Sequence, residues 1–170
     1  MGLLDKLTGT EHPDDGVAPR SAEEVRTALL GLDRPDAPHV IRDGAPEGAD
    51  LVAEWRVRDP AWENFFVRSQ LSRAVRIRMR LVQDGHEVRA LEEGWEVTRV
   101  GNPPRLAISK RYTRGPDRTV SRRCTVQRTD SGGLEATETF RFDSGELRNP
   151  LRDAVLASGW TWRSVVFGRL

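Results

Sequence analysis

The sequence predicts an α+β domain: a strongly curved antiparallel β-meander of about seven strands, barrel-like if it closes on itself, with about three short helices. Three observations lead there. Val75, Ile77, Met79 and Leu81 alternate strictly with Arg76, Arg78 and Arg80, the period of two that a half-buried strand needs. Further apolar runs, broken by Gly- and Pro-containing turns, make 72–144 read as five consecutive antiparallel strands. Short apolar stripes at helical spacing bracket this stretch on both sides.

The first elements are short. Leu3, Leu4 and Leu7 share one side of a two-turn helix that stops at Gly9, and 10–20 is rich in Pro, Gly and Asp. Residues 1–20 are therefore expected to be a mobile N-terminal segment and linker, and 21–170 a single domain. Ser21-Ala-Glu-Glu24 has the spacing of a capping box, and Val25, Ala28, Leu29 and Leu32 form the apolar stripe of a helix over 22–31. Gly31 is expected to end it in a left-handed conformation. A short strand fits His39 to Arg42, and Leu51, Ala53, Trp55 and Val57 alternate as another. Asp59-Pro60 reads as an N-cap followed by proline at the first helical position, opening a helix over 60–70 that buries Trp62, Phe65 and Phe66.

The central hairpin turns at Asp84-Gly85, a dipeptide suited to a type I′ turn that pairs Leu81 with Val88. The parity of the apolar residues then switches between Val88 and Leu91, so a bulge is expected there. Asn149-Pro150 starts a helix over 150–158, and the apolar tail from Trp160 predicts a final strand.

Carrying apolar pairings through each hairpin sets Glu93 beside Lys110, Lys110 beside Arg122 and Arg122 beside Glu138. The four residues then form one row across four strands, on the face of Trp95, Ile108, Cys124 and Phe140. Lys110 and Arg122 lie opposite each other, an unfavourable pair unless an anion sits between them. Either the row is an exposed ion-pair ladder, or it lines a pocket with a cationic centre. Arg76, Arg78 and Arg80 fall on the other face, which reads as solvated, with Glu92 opposite Arg78.

Composition narrows the classes. Lys+Arg of 27 against Asp+Glu of 26 lacks the basic excess of a nucleic-acid binder, so no nucleic-acid partner is expected. Lys6 and Lys110 are the only lysines, and the arginine bias fits a GC-rich bacterial genome. A lone Cys124 permits no internal disulfide, and His12, His39 and His86 have no metal-ligand spacing. No catalytic motif, cofactor motif, signal peptide or transmembrane run is present, so a cytoplasmic protein without a cofactor is expected. Peripheral membrane contact through residues 1–8 stays open.

Gly159-Trp-Thr-Trp-Arg163, Val166-Phe-Gly-Arg-Leu170 and Asp59-Pro-Ala-Trp62 resemble a small actinobacterial family of unknown function, a likeness that implies no activity or site. The five-stranded meander bracketed by helices is similar at fold level to tubby-like and pleckstrin-like barrels, whose motifs are absent. The expected function is a non-catalytic binding or scaffolding domain with a small anionic ligand or a protein as partner, its ligand held by Glu93, Lys110, Arg122 and Glu138. The alternative is a hydrolase or transferase using the same row.

Overall fold

The computed structural model describes residues 9–68, 71–114, 120–128, 134–166 and 170; the side chains of 110–113, 120–128 and 134–143 lie outside the description. At the centre is the hairpin of β4 (Arg73–Val82) and β5 (Glu87–Val100). It pairs without interruption from Arg73↔Glu96 to Val82↔Glu87. The expected pairing of Leu81 with Val88 is present. The type I′ turn is not: Gln83–Gly85 form one turn of 3-10 helix, and His86 reverses the chain at φ 44. A four-residue loop built on a helical turn closes the same register as the two-residue turn.

Ahead of the hairpin in the chain come β1 (Thr10–Glu11), α1 (Ala22–Leu30), β2 (His39–Asp43), β3 (Leu51–Trp55) and α2 (Pro60–Arg68). Behind it follow β6 (Arg105–Arg114), β7 (Val120–Arg128), β8 (Leu134–Asp143), α3 (Ser144–Ala157) and β9 (Thr161–Val165). The main sheet has seven strands in the order β1-β9-β5-β4-β3-β2, with β6 joined to the second half of β5. The sheet is open, ending at β1 on one side and β2 on the other. All pairings are antiparallel except β5 with β9, which runs parallel from Glu87↔Thr161 to Leu91↔Val165.

The meander is shorter than the sequence suggests. β7 and β8 pair only with each other, as a separate two-stranded sheet. The strand expected in the tail is β9, and it takes Thr10 and Glu11 as its other neighbour. Part of the segment read as a linker is thus hydrogen-bonded to the sheet.

Local chemistry sets the helices. Ser21 and Glu24 form the reciprocal capping box, with the Ser21 amide donating to Glu24 at 2.9 Å and the Glu24 amide to the Ser21 hydroxyl at 3.3 Å. Gly31 closes α1 in a right-handed conformation (φ −65) instead of the expected left-handed one, its amide donating to Thr27. Asp59 caps α2 by accepting from the Ala61 amide. Helix α3 starts at Ser144, not at Asn149, and carries Pro150 inside it. Leu147, Leu151 and Val155 make a buried i, i+4, i+8 stripe, and burial of Leu147 extends the helix through the proline. Gly159 ends it at φ 73, where a Cβ would stand 2.7 Å from the Ala18 carbonyl oxygen.

The core lies on one face of the sheet. Leu51, Ala53 and Trp55 of β3, Val75, Ile77 and Met79 of β4, and Val88 and Ala90 of β5 meet Val25 and Leu29 of α1, Phe66 of α2 and the α3 stripe. Trp160 and Trp162 complete the same cluster. The exposed edge of β2 is occupied: Asp33 accepts from the Ile41 amide at 2.9 Å, and Arg56 donates to the His39 carbonyl at 3.1 Å. Those contacts protect the edge from strand addition.

Candidate functional site

Side chains alternate along a strand, so the opposite face of the sheet presents Val40 and Arg42 of β2, Val52 and Glu54 of β3, Arg76, Arg78 and Arg80 of β4, and Leu91, Glu93 and Trp95 of β5. This arginine face is half-buried rather than solvated. A turn at Ala45–Glu47 folds over it and is held by the strand arginines. Arg78 donates to the Glu47 carbonyl at 3.0 Å, and Arg80 to the carbonyls of Gly48 at 2.6 Å and Leu170 at 2.8 Å.

Beside these contacts runs an ion-pair chain. Arg42 donates through two nitrogens to Glu47, at 2.5 and 3.1 Å, and reaches Glu54 at 2.7 Å. The other oxygen of Glu54 accepts from Arg76 at 2.9 Å. The Arg76 guanidinium stacks on Trp95, 4.8 Å from the ring centroid, a cation–π contact. Arg78 pairs with Glu93 at 2.9 Å. Hydrogen bonding to Arg42 holds the Glu47 carboxyl below its ordinary range, and the same contact holds the Arg42 proton more tightly. Bidentate and shared pairs of this kind fix the planes of the guanidinium groups.

Two cavities open on this face. One, of about 300 Å³, is lined by Val40, Val57, Ile108 and Trp95 together with Arg42, Glu54, Arg56, Arg58 and Arg76, among others. The second, of about 320 Å³, is lined by Glu47, Arg76, Arg78, Glu93 and Trp95. Glu47, Arg76 and Trp95 border both. Within the first cavity, Arg56 is engaged with Ala37, His39 and Asp33. Arg58 is exposed and has no partner among the described residues. Nε of Arg78 is buried and has no acceptor among the described residues.

The four residues expected to form a row are distributed differently. Glu93 is buried on the arginine face and its backbone partner on β6 is Arg114, not Lys110. Lys110 falls where the β5–β6 register shifts, between Ile108, which pairs Val97, and Tyr112, which pairs Trp95. Arg122 pairs Arg141 and Glu138 pairs Cys124, because a register shift follows Arg123. The strands carrying Lys110 and Arg122 belong to different sheets. The side chains of Lys110, Arg122 and Glu138 lie outside the described residues. Glu93 alone of the four is placed in a described cavity.

The underlying cause is the bulge expected between Val88 and Leu91. The β4–β5 ladder has none, so Arg78 pairs Leu91 and Glu92 pairs Ile77. Glu92 therefore faces the helices. It is 6% exposed and meets Arg148 of α3 at 3.3 Å. Burial pushes its carboxyl up to about 7, against the pull of Arg148. Glu92 borders neither cavity.

Sequence reasoning missed Arg42, Glu47, Glu54 and Arg58 as site residues. For Arg42 and Glu54 the signal was the alternation of β2 and β3, which gives a face but not what covers it; Glu47 and Arg58 lie outside those strands. Among the described residues no group of three or more His, Cys, Asp or Glu is placed to hold a metal ion, and no helix is long and apolar enough to cross a membrane. No protein-family model, no curated protein and no solved structure matches this chain.

Proposed function

We propose that this chain is a non-catalytic binding domain, and that the groove on its arginine face holds a small ligand with an apolar body and one anionic group. A volume of about 300 Å³ is at the lower end for small-molecule sites. Its walls combine Val40, Val57, Ile108 and Trp95 with guanidinium groups, the mixture that buries a body and orients a charge. The single observation that carries the reading is Arg58. Arg42, Arg56 and Arg76 are each committed to a carboxylate or carbonyl, whereas Arg58 lines the groove, is exposed and has no such partner among the described residues.

The placement of the acids favours binding over hydrolysis or group transfer. General acid–base catalysis works best with a group whose pKa lies near the working pH. Among the described residues the carboxyl pushed up to about 7, Glu92, faces the helices, while Glu47 in the groove is held low by Arg42.

Titration calorimetry at low salt with inorganic phosphate and straight-chain carboxylates tests the proposal. Binding of at least one probe is expected, and Arg58→Ala should weaken it about 10- to 100-fold, the range for losing a charge-assisted contact of ~1.5–3 kcal/mol. Because Arg58 is exposed, the variant should unfold at the wild-type urea midpoint. A wild-type affinity in Arg58→Ala, or no binding of any probe, contradicts the proposal.

A further inference from the structure

Away from the groove, the strand registers of the arginine face set like charges side by side. Arg80 of β4 pairs Arg89 of β5, and Arg89 pairs Arg163 of β9. Val88, Ala90 and Trp162 belong to the core, so by alternation Arg89 and Arg163 project to the face of Arg80. Neighbouring strands are about 4.8 Å apart, and like charges directly opposite destabilise a sheet. Among the described residues a single carboxylate pairs with this row. Glu87 accepts from Arg89 Nε at 2.8 Å and meets Arg163 at 3.2 Å, while Arg80 donates to the carbonyls of Gly48 and Leu170.

The two outer guanidinium groups keep donors unspent. Both terminal nitrogens of Arg89, and Nε with one terminal nitrogen of Arg163, have no acceptor among the described residues. Those of Arg89 are open to solvent, because Arg78 Nε is the buried side-chain atom left without a partner among the described residues. The Arg89 and Arg163 side chains are 40% and 47% exposed. Thr161, the register partner of Glu87, lies on the same face, its hydroxyl 3.3 Å from His12 Nδ1. Neither Arg89 nor Arg163 lines either cavity.

We propose that Arg89 and Arg163 form a second binding site, separate from the groove, for the dianionic group of a phosphate monoester. Guanidinium forks match phosphate oxygens in pairs. Charge selects a dianion: Glu87 neutralises one of the two cations, and Arg80 adds a third to the row. The site is an open surface that reads the phosphate and leaves the alcohol unspecified. A soluble ester and a phosphatidic acid headgroup therefore present the same chemistry to it.

The test titrates the full chain with glycerol phosphate, which has no apolar body for the groove, at about pH 7, where a monoester is mostly doubly ionised. The backbone amide signals of Arg89 and Arg163 should shift saturably, and dimethyl phosphate, a monoanion, should bind at least about tenfold more weakly. Arg163→Ala, at an exposed position, should weaken the monoester about tenfold or more, and Arg58→Ala should leave it within about twofold of wild type. Glu87→Gln removes the competing carboxylate and should tighten binding about 3- to 10-fold. Phosphatidylcholine vesicles with and without phosphatidic acid separate the sources. Tighter binding to the phosphatidic acid vesicles than to the soluble ester assigns a headgroup, the reverse assigns a soluble ligand, and Arg163→Ala should weaken either. Wild-type affinity in Arg163→Ala, equal affinity for the diester, loss of binding in Arg58→Ala, or no binding of ester or vesicle would overturn the proposal. The groove reading is unaffected by those results, because straight-chain carboxylates and Arg58→Ala test it independently.

Discussion

Replacing Trp160 with Ala is expected to destabilise the domain by about 3–5 kcal/mol, the usual cost of removing a buried tryptophan from a packed core. The side chain is 0% exposed, and its indole nitrogen donates to the Arg20 carbonyl at 2.8 Å. Its ring also meets His86 edge-on at a centroid distance of 5.6 Å. These contacts join three parts of the chain far apart in sequence: the entry to α1, the β4–β5 turn and the start of β9. Domains of this size are stable by roughly 5–15 kcal/mol, so the variant should lose a large share of its stability. Trp160→Phe keeps most of the apolar surface and should cost about 1–2 kcal/mol. Urea unfolding measures both. A loss under about 1 kcal/mol for Trp160→Ala would show that the tail is not core.

Stability should also fall as pH rises from about 4.5 to 7, through the protonation of Glu92. Its folded-state pKa of about 7 lies above the ordinary 4.5, so over that window the folded protein holds a proton that the unfolded chain has released. Unfolding then releases protons, and raising the pH favours it. The contribution is fully present below about 4.5 and lost above about 7. At ~1.4 kcal/mol per unit, the whole effect is about 3 kcal/mol. The ionised carboxylate faces Arg148 of α3 and the field of Arg73 from β4, which recover part of the burial cost. Glu92→Gln removes the titration, so its urea midpoint should vary less across pH 4.5–8 than the wild-type one. Identical pH profiles for the two proteins would show that Glu92 is not buried against the helices.

Most of the element boundaries were legible because local chemistry fixes them. The capping box at Ser21, the Asp59-Pro60 start and the period-two runs at Leu51–Trp55 and Arg73–Val82 each act within a few residues. The misreadings arose where a distant segment decides. On β5 the apolar residues move from Val88 and Ala90 to Leu91, Trp95 and Val97 although the ladder is regular. Leu91 is buried beneath Ala49 and Leu170, so this strand is covered on both faces. A strand covered twice loses the alternation that reveals its orientation. That is why Glu92 and Glu93 were assigned to the wrong faces.

The same reason applies to the site. Arg76, Arg78 and Arg80 read as a solvated ladder because alternation says nothing about a loop folding onto it. The carbonyls of Glu47 and Gly48, about thirty positions away, hold the Arg78 and Arg80 guanidinium groups, while Arg76 is held by Glu54 of β3. The parallel pairing of β9 with β5 is likewise a non-local choice, and the apolar tail announced a strand without naming its neighbour.

The most direct test of the groove as a binding site is to follow the indole N–H signals of all five tryptophans by NMR during titration with pentanoate and with inorganic phosphate. Trp95 lines both cavities, whereas Trp160 and Trp162 are buried on the helix side. The account predicts a saturable shift of the Trp95 signal with at least one probe, while those of Trp160 and Trp162 stay in place. A Trp95 signal unmoved at saturating probe, or shifts confined to Trp160 and Trp162, would contradict it.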